Sequence, residues 1–255
     1  MTFAPKAPPG SCQVFRPNGP GTTSFINLEG ICNGELPQYV AQFKGNGYVT
    51  VNIPNIPTKT MPRTITAWLY TTNFNQDASF FGYGITLGYS DFYAAVGTAC
   101  STGTGHIWVD AWYTCQVLAP PSQPSGWSLV AYEYNGTAQI AYLGNGGSII
   151  EVAESFTANT PSTPFYIGTD YQGFNSAPFI GEIANVQLYN ASLSANEIQA
   201  LYLEGIGGAP VNLQHLVGWW PLNGNANDYS GNGNNGQIIG SVNFVSNWYS
   251  GYTPP

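Results

Sequence analysis

Over 255 residues the chain carries 7% charged residues and a formal charge of −8, from 5 Lys and Arg against 13 Asp and Glu. So few cations make nucleic acid a poor partner, since nothing clusters to neutralise phosphates, and anionic membrane surfaces are disfavoured for the same reason. No apolar run approaches the roughly 18 residues of a spanning helix, while 43% hydrophobic residues suffice for one large β-sandwich or two small domains. With so little charge, the polar surface must come from Asn, Gln, Ser, Thr, Tyr and Gly, a habit of surface proteins that pack against neighbours or carry glycans.

The first 37 residues read as a Pro-rich extension holding a loop between Cys12 and Cys32. Its opening, MTFAPKAPPG, lacks the apolar segment of a signal peptide, so an exported form would carry its signal upstream. From there period-2 patterning dominates. Tyr48–Ile53 alternates, and Thr64–Tyr70 sets Ile65, Ala67 and Leu69 against Thr66, Trp68 and Tyr70. His106–Val117 alternates as one long strand. Trp127–Leu143 predicts two strands around Asn135-Gly136, a strong hairpin signal. Phe165–Gly168 and Phe179–Tyr189 predict further strands, separated by Gly, Pro, Asn and Ser clusters. One helix is predicted over Ala195–Glu204, opened by a Ser194/Glu197 capping box and stopped by Gly205. Residues 249–255 read as a linker. The pattern predicts an all-β, two-sheet antiparallel jelly-roll sandwich with one short helix.

Four cysteines fall into local pairs, Cys12 with Cys32 and Cys100 with Cys115. Other pairings, and four free thiols, stay open at this level. Two sequons, at Asn135 and Asn190, are candidate glycosylation sites. Together with the cysteines they favour an extracellular or cell-surface location.

Three stretches combine into a recognisable set: Gln42–Gly45 with Tyr48–Val51 leading into Thr64–Trp68, then Gly181–Leu201, then LVGWWPLNGNANDYSGNGNNG from Leu216 to Gly236. In combination they resemble the laminin-G-like, concanavalin A-like jelly-roll family, in the branch found in microbial surface proteins. The resemblance spans residues 38–248. One departure stands out: the WWPLNG…DYSGN segment, within 214–248, comes last, where the family usually places it first. The chain is then a circular permutant closing its own sandwich, a cut from a tandem array, or a donor of its terminal strand to a neighbour. Trp219, Trp220, Leu222, Ile238, Ile239, Val242 and Phe244 are too apolar to remain in water, and self-closure is the favoured reading.

The resemblance implies a structural Ca²⁺ held by the Asp of D-x-S-G, here Asp228, with nearby carbonyl oxygens. Relatives often place Asp where this chain has Ala184-Asn185; Asn185 offers an amide oxygen, and Glu182 lies close by in sequence. DYSGNGNNG reads equally as a Gly/Asn turn built on an Asx turn at Asp228. Lectins of this architecture stack rings on sugars, which makes Tyr83, Tyr89, Phe92, Tyr93, Trp108 and Trp112 candidates, unless those rings pack in the core. The hydrolase relatives carry a Glu-x-Asp-x-x-Glu run that is missing here. Glu151 and Glu154 have the wrong spacing for one strand face, and neither His106 nor His215 has a Ser or Cys partner in sequence. The expectation is a non-catalytic recognition or adhesion module for glycan or surface protein. Its rival is a filament or surface-layer subunit binding copies of itself, and a glycoside hydrolase is the remote alternative.

Overall fold

The alternation along the chain resolves, in a computed structural model, into thirteen strands and one α-helix among the described residues. These are 36–255 apart from 75–76, 86–87, 89, 98–105, 112–113, 119–123, 171–178 and 250. The readings of residues 1–35, and those on Cys12, Cys32, Cys100, Tyr89 and Trp112, lie outside them. In chain order the strands are β1 (Val40–Val51), β2 (Arg63–Tyr70), β3 (Ala78–Gly84), β4 (Asp91–Gly97), β5 (His106–Asp110), β6 (Gln116–Leu118) and β7 (Ser128–Tyr134). Then follow β8 (Ala138–Asn145), β9 (Ser148–Ser155), β10 (Phe165–Ile167), β11 (Ile180–Tyr189), helix α1 (Ala195–Glu204), β12 (Leu216–Trp220) and β13 (Gln237–Val245).

Strand β1 organises the architecture because its two halves belong to different sheets. Ala41–Lys44 pair with β11, which leads through β2 and β7 to β8 and β9. Val49–Val51 pair with β10, which leads through β3 and β4 to β5 and β6. The crossing falls at Gly45-Asn46-Gly47, where the register to β13 also shifts. Glycine is required there: a Cβ on Gly47 would lie 2.3 Å from the Ser241 carbonyl oxygen, and Gly240 opposite adopts φ +71°. At the far edges β6 and β9 come together, and Gln116 Nε2 donates to Glu154 Oε2 at 2.6 Å. The result is an antiparallel sandwich that nearly closes into a barrel, as the patterning predicts.

Between the sheets lies one apolar core, with Phe43, Ile65, Phe80, Phe92, Tyr132 and Trp220 at its centre. Phe92 and Tyr132 stack across it with ring centroids 3.8 Å apart. Arg63 is wholly buried there. Its guanidinium donates to the Lys59 and Met61 carbonyls and to Thr160 Oγ1, and lies over the Phe92 and Tyr134 rings. A second cluster covers the outer face of the first sheet: Trp68, Trp127, Trp219 and Trp248 with Ile198, Leu201 and Tyr202 of α1. The helix has the predicted bounds. Ser194 Oγ accepts from Glu197 N–H, and the Glu197 carboxylate accepts from Ser194 N–H.

Two readings change and a third, self-closure, holds with a partly exposed strand. The single strand over His106–Val117 is two strands, β5 and β6, folded back on one another. Strands β3 and β4 were not signalled: they are buried as fully as β2 and β7, but ASFFGYG and DFYAAVG hold a single β-branched residue between them and show little alternation. The C-terminal segment pairs within its own chain, β12 with β11 and β13 with β1. Trp219, Trp220 and Leu222 bury as expected, but Ile238 stays 39% exposed and Ile239, Val242 and Phe244 are only partly covered. This strand lies at an edge and turns one face to solvent.

Candidate functional site

Alternation on the second sheet sends Phe92, Ala94 and Val96 of β4, and Ile107 and Val109 of β5, into the core. It therefore sends Asp91, Tyr93, Trp108 and Asp110 to the opposite, outer face. Tyr166 of β10 and Tyr48 of β1 share that face, since Phe165, Ile167, Val49 and Val51 point inward. Register aligns them: Asp110 opposes Tyr93, Tyr93 opposes Gly82, and Gly82 opposes Tyr166. A Cβ on Gly82 would come within 2.2 Å of the Tyr93 Cβ, so only glycine lets Tyr93 sit there.

The geometry is dense and polar for a sheet face. Tyr93 meets Trp108 edge to face with centroids 5.4 Å apart, and its hydroxyl donates to Asp110 Oδ2 at 3.3 Å. Tyr48 and Tyr166 meet edge to face at 6.0 Å. Asp91 is fully buried, yet neither of its carboxyl oxygens has a hydrogen-bond partner, and the buried Trp108 indole N–H has none either. Orphaned buried groups cost about 1–3 kcal/mol each, and they are rare in folded proteins. Burial, with the charges of Asp110 and then Asp170 added, pushes the Asp91 carboxyl up to about 8. Burial, then Asp110 and Asp91, also raises the Tyr93 hydroxyl. The site thus favours the protonated form of Asp91, which can both donate and accept. The partly exposed rings of Tyr48, Tyr93 and Tyr166 are what a ligand meets first, while the Asp91 carboxyl and the Trp108 indole N–H lie beneath the surface and are reached only where the face opens.

The predicted ring set divides. Tyr93 and Trp108 lie on this face. Tyr83 and Phe92 do not: both belong to the core, where the Tyr83 hydroxyl donates to the Pro57 carbonyl at 2.6 Å and burial pushes it up to about 12. The acids Asp91, Asp110 and Asp170 escaped sequence reasoning. The available signal was an acid two residues from an aromatic on adjacent strands, Asp91/Tyr93 and Trp108/Asp110.

The residues proposed for calcium do not make a common donor set. Asp228 Oδ1 accepts from the Trp219 and Ser230 amides, and Oδ2 accepts from Ser230 Oγ and the Asn234 amide. Asn185 is buried beneath, its Oδ1 accepting from Trp219 Nε1 and Gln187 Nε2 and its Nδ2 donating to the Gly208 carbonyl. Glu182 accepts from Gln42 on another part of the sheet. With their oxygens directed at separate protein donors, these residues do not fit a Ca²⁺ shell. No group of three or more His, Cys, Asp or Glu among the described residues is arranged for a metal ion. Glu151 and Glu154 project to opposite faces of β9, Glu154 accepting from Gln116 and Gln139. Asn135 and Asn190 are both exposed; Asn135 Oδ1 caps its own turn and Asn190 Oδ1 meets His215 Nδ1 at 2.9 Å. Cys115 is disulfide-bonded, and the other three cysteines are outside the described residues.

No curated protein matches the sequence. Among solved structures, a candidate carbohydrate-binding protein from Bacteroides ovatus superposes with a TM-score of 0.62 at 18% identity, over 82% of this chain and 60% of that one. The chain thus spans about three-fifths of that relative. The heptameric SAP-like pentraxin of Limulus polyphemus gives 0.54 at 11% identity, over 85% of this chain and 99% of that one. The enzymatically active domain of tailspike protein 2 from bacteriophage CBA120 gives 0.51 at 14% identity, over 83% and 37%. These likenesses concern the fold. A laminin-G-type family model matches residues 43–199, well over half of the sequence. The chain belongs to the concanavalin A-like lectin/glucanases superfamily.

Proposed function

We propose that this chain is a non-catalytic, extracellular carbohydrate-recognition module, and that it takes its ligand on the outer face of the β3–β6 and β10 sheet. The observation that carries this reading is the cluster of partly exposed Tyr48, Tyr93 and Tyr166 rings on one sheet face, with two buried, unpartnered groups beside them, the Asp91 carboxyl and the Trp108 indole N–H. A sugar offers what they lack: hydroxyls that give and take hydrogen bonds, and an apolar ring face for tyrosine. The likeness to the Bacteroides protein, described as carbohydrate-binding, points the same way. No Glu-x-Asp-x-x-Glu run supplies a hydrolase's acids, and a protonated, fully buried Asp91 is poorly placed to act as a nucleophile.

A glycan array followed by calorimetry on the best ligand tests this. Tyr93→Ala is expected to weaken binding about tenfold or more, while Tyr249→Ala, an exposed ring elsewhere, leaves it unchanged. Equal affinity for both variants, or release of reducing ends from the ligand, contradicts the reading.

A further inference from the structure

The face assigned to carbohydrate does not stop at β10. Register carries it across β1 and onto the C-terminal strand. Thr50 opposes Tyr166 on one side and Gln237 on the other, and Tyr48 opposes Ile239. Cross-strand partners share a sheet face, so Gln237 and Ile239 stand on the same side as Tyr48 and Tyr166, while Val49 between them points into the core. One row therefore runs from Tyr93 through Gly82, Tyr166 and Thr50 to Gln237. Four strand spacings of about 4.8 Å give it a length of about 19 Å, several times the width of one sugar ring.

Exposure rises along this row. Asp91 and Trp108 are buried at its β4–β5 end, the tyrosines, Thr50 and Ile239 are partly exposed, and Gln237 on the edge strand is exposed. The chemistry changes in the same direction. Acid charge gathers at the buried end, where Asp110 and Asp170 both act on Asp91. From Tyr166 to Gln237 every side chain is uncharged: two tyrosine rings held edge to face at 6.0 Å, a hydroxyl, an amide and an aliphatic branch. Rings and aliphatic surface suit the apolar faces of sugars, and the hydroxyls and amide suit their hydroxyl groups. No cation on this stretch would compensate a charged sugar, and the acids at the far end repel an anion.

Given the carbohydrate reading of this face, on which the inference rests, we propose that β13 is part of the binding surface and that the ligand is a neutral, linear oligosaccharide lying across the strands from Tyr93 to Gln237. The out-of-order C-terminal segment thereby serves recognition as well as closure of the sandwich. Its Ile239 and Gln237 contact sugar units beyond those that sit over Tyr93 and Tyr166.

The probes are neutral linear gluco-, galacto- and manno-oligosaccharides, each from monosaccharide to hexasaccharide, titrated by calorimetry. In the series that binds, affinity is expected to rise at least tenfold from disaccharide to hexasaccharide. Gln237→Ala and Ile239→Ala are expected to remove most of that gain and to leave the disaccharide unchanged; Gln237 is exposed, so its replacement does not disturb the fold. Oxidation of the hexasaccharide's primary hydroxyls to carboxylates is expected to weaken binding at least tenfold. Equal affinity along the series, a gain that survives both β13 variants, or undiminished binding of the oxidised chain overturns the extension onto β13 or its neutral ligand and leaves the carbohydrate face standing. Binding by none of the series, or binding unmoved by Tyr93→Ala, removes the carbohydrate face and the extension together.

Discussion

At the scale of single residues, burial decides which acids are structural and which are available. Asp228 directs both carboxylate oxygens to four protein donors and thereby clamps the Gly/Asn loop onto β12. Asn232 and Asn234 extend the clamp to the Leu216 and Val217 carbonyls. Asp228→Ala is expected to lower stability by on the order of 3 kcal/mol, seen as a lower urea midpoint, while a calcium chelator leaves the wild type unmoved. A large chelator effect would restore the metal to this loop. Asp91 behaves oppositely, since the fold favours its neutral form. A folded-state value raised to about 8 means that stability is full below the ordinary carboxylate range and declines as pH rises toward 8. Asp91→Asn mimics the protonated state, so its melting temperature should fall less than that of the wild type between pH 4 and 8. Parallel pH profiles for the two proteins would show that Asp91 ionises freely.

At the scale of elements, legibility followed local signals rather than exposure. The β7–β8 hairpin is announced by its Asn135-Gly136 turn although β7 is buried along its whole length, and α1 by its cap and its buried Ile198, Leu201 and Tyr202. Strands β3 and β4, with a single β-branched residue between them and little alternation, leave no such signal. The candidate site was hidden with them: Asp91 and Asp110 sit among apolar neighbours, and only cross-strand register brings them beside Tyr93 and Trp108. Tyr83 and Phe92 show the converse, since aromatic residues alone do not reveal which face they occupy. The hinge of the sandwich is local and testable. Gly47→Val drives a side chain into the Ser241 backbone and is expected to cost roughly 3 kcal/mol. Amide exchange should then quicken first along β13, with the β7–β8 hairpin still protected. Unchanged protection of β13 would contradict its role as the partner that follows β1 across both sheets.

For the whole molecule, the out-of-order C-terminal segment finds its place inside its own chain, with Trp220 in the core and β13 along β1. Light scattering is expected to give a mass of 27.3 kDa at every concentration; growth with concentration would favour assembly through the exposed edge of β13. With the sandwich closed on itself, its outer faces remain for recognition, and the proposed carbohydrate face is the one that holds Trp108. The most direct measurement follows the indole N–H signals of the seven tryptophans by NMR while a glycan selected from an array is added. Trp108→Phe identifies the relevant signal by removing it. This signal is expected to move downfield and saturate with the ligand, as an orphaned donor gains its acceptor. A glycan that binds while the Trp108 signal stays still would place recognition elsewhere on the molecule.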